Sequence, residues 1–247
     1  MSEVVIVTGG AKGFGREYSL ALAGHGYRVA VADLNDPGDV VADIESAGGE
    51  ALGVTVDVAD ESSTIAMAKA VTDAWGRIDG LVNNAGYFSS IEKKPFWELT
   101  VSDWEVANRV NVIGTWLCAK AVFPSMREKG YGKIVNTSSM TVPTAVPGFL
   151  HYVASKSAIV GLTRSMAREA GPFGINVNTI SPCYVPHDAS YVDRQEEEVG
   201  AMIIAERSIK REMTPDDLVG TLLHLVGHGS DFVTGQNFYV NGGRAFT

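Results

Sequence analysis

The sequence predicts an α/β fold, doubly wound, with a seven-stranded parallel sheet and helices on both faces. Three observations carry this. Short β-branched runs alternate with helical stretches along the chain, a glycine turn joins the first strand to the first helix, and no low-complexity linker, repeat or second core interrupts the alternation. At 247 residues the chain suffices for one large α/β domain with a sizeable core. We read residues 1–247 as that single domain.

The elements follow in order. Val4-Val5-Ile6-Val7 is a continuous apolar run, as a strand buried on both faces requires. Thr8-Gly9-Gly10-Ala11-Lys12-Gly13-Phe14-Gly15 then turns into a helix, near 14–24, whose apolar surface comes from Tyr18, Leu20, Ala21, Leu22 and Ala23. Unpaired N–H groups at a helix start attract an anion, and glycines let the backbone approach a pyrophosphate closely. A second strand, near 27–32, ends in Asp33, placed to accept hydrogen bonds from an adenosine ribose. Further strands are expected near 51–56, 79–83, 133–137, 175–180 and 236–240. Helices are expected near 38–47, 61–75, 102–129, 152–170 and 215–228. Residues 182–213 break the rhythm and read as an irregular segment.

Tyr152 and Lys156 stand four apart in Tyr152-Val153-Ala154-Ser155-Lys156, which places them on one helix face. A free phenol titrates at about pH 10, too high for a base at neutral pH. A fixed neighbouring cation lowers that value, which would make Tyr152 a general acid/base. Asn111 sits among Val110, Val112 and Ile113, where a polar side chain without a partner would be costly.

Taken together these motifs resemble the short-chain dehydrogenase/reductase family of single-domain type, and the likeness covers essentially the whole chain. Its glycine motif matches Thr8 to Gly15. Its adenine-holding pair falls on Asp57-Val58, and Asn83-Asn84-Ala85-Gly86 follows the fourth strand as in the family. Its catalytic tetrad falls on Asn111, Ser139, Tyr152 and Lys156, and family spacing selects Ser139 over Ser138. The resemblance implies a Rossmann fold and cofactor contacts at Gly9, Phe14, Gly15, Asp33, Leu34, Asp57, Val58, Asn84, Ala85, Gly86, Tyr152, Lys156, Pro182 and Val185. By the same resemblance Lys156 stabilises the phenolate and bonds the nicotinamide ribose. Ser139 orients the substrate oxygen, and Asn111 anchors a water that relays the proton. Relatives are commonly tetramers.

Asp33 would repel the 2′-phosphate of NADP and should dominate the flexible Lys12 in the glycine turn, so NAD is the expected cofactor. Three positions depart from the family pattern. Cys183 replaces the usual glycine after Pro182, His187 stands where a threonine is common, and Asn241 replaces aspartate before Gly242-Gly243. Cys183 reads as a packing residue, His187 as a loop residue and Asn241 as structural. The loops 87–97, 140–151 and 184–213 carry Tyr87, Phe88, Phe96, Trp97, Met140, Val142, Phe149, Leu150, Tyr184, Tyr191, Val192, Met202, Ile203 and Ile204. This apolar lining suits a small hydrophobic or aromatic secondary alcohol, with residues 182–213 as a substrate lid. The sequence also runs similarly to bacterial 1-phenylethanol-type dehydrogenases.

Two other readings stay open: an NADP-dependent 3-oxoacyl thioester reductase, and a non-catalytic dinucleotide-binding regulator. A net charge of −9 disfavours nucleic acid and anionic membranes as partners. Two cysteines, Cys118 and Cys183, make neither a disulfide framework nor a metal cluster. With neither a signal run nor a membrane-spanning stretch evident, a soluble cytoplasmic protein is expected.

Overall fold

The computed structural model describes residues 2–88, 90–185 and 194–246, without the side chains of 194–197. Seven strands form one parallel sheet: β1 (Val4–Thr8), β2 (Arg28–Asp33), β3 (Ala51–Thr55), β4 (Gly80–Asn83), β5 (Gly132–Thr137), β6 (Ile175–Pro182) and β7 (Asn237–Val240). Their spatial order is β3-β2-β1-β4-β5-β6-β7. The order reverses direction between β1 and β4, which opens a crevice at their carboxyl ends. β1 is buried at all five positions, which is why it reads as an unbroken apolar run.

Helices cover both faces. α1 (Gly13–Gly24) and α2 (Gly38–Ser46) lie on one side, where Tyr18, Leu22, Val40 and Ile44 pack against Val5, Val7, Val29 and Val31. α3 (Glu61–Trp75) lies on the other, where Met67 and Val71 pack against Val4, Ile6 and Ala30. Asp60 caps α3 by accepting the Ser63 N–H at 2.8 Å, and Gly76 closes it at φ 72°.

The expected helix over 102–129 is three segments. α4 (Val101–Asn108) opens with a capping box between Thr100 and Asp103. Residues Arg109–Gly114 form a π turn, and α5 (Thr115–Lys129) continues from it. A short α6 (Thr141–Thr144) precedes α7 (Leu150–Ala170), which starts before the expected residue 152. α8 (Arg194–Glu206) occupies part of the segment expected to be irregular, and α9 (Asp216–Val226) ends shortly before the expected 228. β3 stops at Thr55, one residue before the expected 56, and Asp57 and Val58 follow it.

Candidate active site

The crevice begins at the glycine turn. Gly9 holds φ 64°, and a Cβ there would stand 2.9 Å from the Ala85 Cα. A Cβ on Gly15 would overlap the Gly9 carbonyl oxygen, so only glycine lets α1 start this close to β1. The space over Gly13 is open. Unlike α3 and α4, α1 has no side-chain cap; Lys12 stands at its N-cap position and is exposed. Its first N–H groups are therefore left for an external acceptor. Phe14, half-buried, stacks on Tyr18 with centroids 6.3 Å apart.

The end of β2 is tied to that turn. Asp33 is buried and accepts from the Ala11 N–H at 3.0 Å and the Asn35 N–H at 2.9 Å. Leu34 beside it is exposed. Asp57 is exposed and accepts from the Ala59 N–H at 2.8 Å, while Val58 is buried against the Gly114 position. Asn84 clamps the crevice floor: its Nδ2 donates to the carbonyls of Thr8 and Gly9, both at 3.1 Å. The Thr8 hydroxyl in turn accepts from the N–H groups of Asn84 and Ala85. A Cβ on Gly86 would lie 3.3 Å from Asn111 Oδ1 and 3.5 Å from Lys156 Nζ, so Gly86 brings the backbone between those two side chains.

Around Tyr152 the four predicted tetrad residues come together. Lys156 is buried on the face of Tyr152, its Nζ 5.8 Å from the ring centroid and donating to the Thr137 carbonyl at 2.8 Å. Ser139 lies close enough to the Tyr152 oxygen for its hydroxyl to lower the phenol's pKa. Ser138 faces away, its hydroxyl donating to the Lys156 carbonyl at 2.7 Å, which separates two serines that spacing alone leaves side by side. Asn111 lies within the π turn and is fully buried. Its Oδ1 accepts the Tyr87 N–H at 2.7 Å, and its Nδ2 donates to the Tyr87 carbonyl at 3.3 Å and the Ser155 hydroxyl at 2.9 Å. The side chain is thus a clip between loop and α7, and Ser155 is a partner that sequence reasoning missed. A serine inside Tyr-x-x-x-Lys carries no separate signal.

The electrostatics differ from the expectation that a cation holds the phenol low. Burial pushes Tyr152 up to about 12, and its Ser139 hydrogen bond offsets this only in part. Burial likewise pushes Lys156 down to about 8. The ammonium is directed at a carbonyl, so in the chain itself desolvation outweighs the neighbouring charge.

Aromatic rings wall the crevice. Phe88 lies 5.0 Å from the Tyr152 ring and 5.9 Å from Phe149, centroid to centroid, and Phe149 lies 6.2 Å from Tyr152. Met140 and Ile203 are buried, whereas Phe96, Trp97, Leu150 and Met202 are exposed. Lys94 N–H donates to the Gly148 carbonyl at 3.2 Å, joining the two loops. Pro182 ends β6, its carbonyl accepting from Met140 N–H at 3.0 Å; Tyr184 and Val185 pack on the core beside Cys183. Arg207, buried, donates to the Tyr184 carbonyl at 2.7 Å. Asn241 accepts from Gly243 N–H and donates to the Ala245 carbonyl, a turn-forming role. His187, Tyr191 and Val192 lie outside the described residues.

Comparison with known proteins agrees with this geometry. Residues 9–245 match a family model described as enoyl-(acyl carrier protein) reductase. The chain is 35% identical, over 99% of its length and 97% of the relative, to (2S)-[(R)-hydroxy(phenyl)methyl]succinyl-CoA dehydrogenase subunit BbsD of Thauera aromatica. It is 32% identical to the 3-oxoacyl-[acyl-carrier-protein] reductase FabG of Staphylococcus aureus, covering 98% of each chain. Its fold superposes on the crystal structure of an NAD+-bound xylitol dehydrogenase with a TM-score of 0.89 at 30% identity, again over 98% of each chain.

Proposed function

Since the chain belongs to the short-chain dehydrogenase/reductase family, and is thereby an oxidoreductase of nicotinamide dinucleotides, we propose that it exchanges a hydride between NAD(H) and a small hydrophobic or aromatic secondary alcohol or ketone. The observation that carries this is the convergence of Ser139, Tyr152 and Lys156 under the Phe88 and Phe149 rings. The name of the Thauera relative describes a hydroxy(phenyl)methyl group, a benzylic secondary alcohol, which supports the aromatic substrate class.

The crevice fits a dinucleotide. An uncapped helix start beside a glycine that a Cβ would block is a cradle for a pyrophosphate. Gly9, Phe14 and Gly15 would hold that end, Asp33 and Leu34 the ribose, Asp57 and Val58 the adenine, and Asn84, Ala85, Gly86, Tyr152, Lys156, Pro182 and Val185 the remainder. The nicotinamide, when bound, supplies the acceptor or donor for the hydride. Tyr152 takes the alcohol proton as phenolate, or gives it to the ketone oxygen as phenol. Ser139 donates a hydrogen bond to that oxygen as charge develops. Lys156, when protonated, would favour the phenolate by its charge, against the burial that raises the Tyr152 pKa. Asn111 sets the spacing of the Tyr87 loop from α7, and the proton leaves by way of a water on its side. Asp33, buried against the glycine turn, favours NAD over NADP, in line with the NAD+-bound xylitol dehydrogenase.

A second reading, an NADP-dependent 3-oxoacyl thioester reductase, is favoured by the family-model description and the Staphylococcus aureus relative. The convergent tetrad speaks against a non-catalytic regulator. We further assign residues 1–247 to one catalytic domain with a lid at about 182–213, acting as a soluble cytoplasmic homotetramer. Among the described residues no helix is long and apolar enough to cross a membrane. Initial rates with 1-phenylethanol enantiomers and aliphatic secondary alcohols, with NAD and NADP in parallel, test the assignment. Turnover of one aromatic enantiomer with NAD is the expected result. Turnover of 3-oxoacyl thioesters with NADPH alone would replace it with the second reading.

A further inference from the structure

We propose that Thr141 is a positioning residue that fixes the Ser139 hydroxyl as a hydrogen-bond donor toward the Tyr152 oxygen. The inference rests on the acid/base role given to Tyr152. A serine hydroxyl has one proton and two lone pairs. Ser139 Oγ accepts from the Thr141 backbone N–H at 3.1 Å and from the Thr141 hydroxyl at 3.0 Å. Those two bonds occupy both lone pairs, so the only hydrogen bond left to Ser139 is one that it donates. Ser139 lowers the Tyr152 pKa, as a hydrogen bond donated to the phenolate does. Chained hydroxyls polarise one another, so a proton donated to Ser139 makes Ser139 itself a stronger donor. The start of α6 serves this geometry: Thr141 is its first residue, and the turn brings its N–H and side chain back onto the residue two before it. The result is a one-way chain, Thr141 to Ser139 to Tyr152 in the chain itself, and to the substrate oxygen once substrate takes over that bond and gains negative charge.

Thr141→Val removes one of the two donors while keeping shape and the N–H; Thr141→Ser keeps both. The test uses protein labelled with carbon-13 at the tyrosine Cζ, the Tyr152 resonance being assigned by its loss in Tyr152→Phe. Thr141→Val should shift that resonance at fixed pH, Thr141→Ser should leave it in place, and in a Ser139→Ala background Thr141→Val should add nothing. In turnover of acetophenone with NADH, Thr141→Val should lower kcat by about tenfold, the worth of roughly one hydrogen bond, with the KM for NADH unchanged. Thr141→Ser should restore kcat. An equal shift from Thr141→Val with and without Ser139, or no shift at all, would overturn the proposal. A Ser139-dependent shift in protein that turns over no ketone would uphold the role of Thr141 and remove the reaction assigned above.

Discussion

A buried lysine stands at each end of β5, and the two are accommodated in opposite ways. Lys133, at the amino end, donates to Asp231 at 2.7 Å and to Asn176 at 2.8 Å. Lys156, brought by α7 to the carboxyl end, donates to the Thr137 carbonyl, and no carboxylate pairs with it among the described residues. The amino edge pairs its other buried charge as well: Asp79 accepts from Val4 N–H and from Arg77, and forms an ion pair with Lys129. One edge of the sheet is thus electrostatically closed. The other holds a cation and a phenol whose charged forms burial disfavours. The uncompensated end of the sheet is the one proposed to meet substrate, so stability and the proposed function are separated along the strands.

The largest expected effect is that of Lys156→Met. Turnover should fall by about a thousandfold if the cation supports proton transfer, while the empty-handed fold gains about 1–3 kcal/mol by losing an unpaired buried charge. The pH dependence gives the sign. Lys156 titrates at about 8 when folded against an ordinary 10.5. Between those values the unfolded chain binds more protons, so wild-type stability should rise with pH there. Chemical denaturation across pH 7–10 should show this rise in wild type and lose it in Lys156→Met.

Next in size is the pH profile of turnover. On the proposed chemistry Tyr152 must be ionised to oxidise an alcohol and protonated to reduce a ketone. Burial raises its pKa to about 12 in the chain itself, so oxidation should speed up by up to about tenfold per pH unit below the pKa of the working complex. Ketone reduction should be flat at neutral pH and decline only at alkaline pH. Initial rates in both directions across pH 6–10 check this.

The smallest effect belongs to the closed edge. Asp231→Ala strands Lys133 without its carboxylate, and thermal unfolding should move down by about 3–6 °C. Turnover per folded molecule should be unchanged. A loss of turnover at unchanged Tm would mean that the two edges are coupled.

Much of this was legible in the sequence, for identifiable reasons. Strands buried on both faces read as continuous apolar runs, so Val4 to Val7 announced β1, and the Tyr152–Lys156 spacing announced a shared helix face. The π turn at Asn111 was not legible, because an apolar pattern such as Val110, Val112 and Ile113 is compatible with an unbroken helix. α8 was hidden by its run of charge at 194–198 and by Gly200 at mid-helix. Thr141 and Ser155 escaped as site partners because a hydroxyl declares its bond only when the tertiary fold places an acceptor beside it. The rise in the Tyr152 pKa escaped for a related reason: sequence shows a neighbouring cation but not the depth of burial.

Tyr152 is proposed to supply the proton in a nicotinamide-linked reaction at the carboxyl ends of the strands. Acetophenone reduction by NADH, measured for wild type and Tyr152→Phe beside a fluorescence titration of NADH binding, tests it most directly. The expected result is wild-type turnover, a loss of about a thousandfold or more in Tyr152→Phe, and the same NADH affinity in both. Turnover in Tyr152→Phe near the wild-type rate would contradict it.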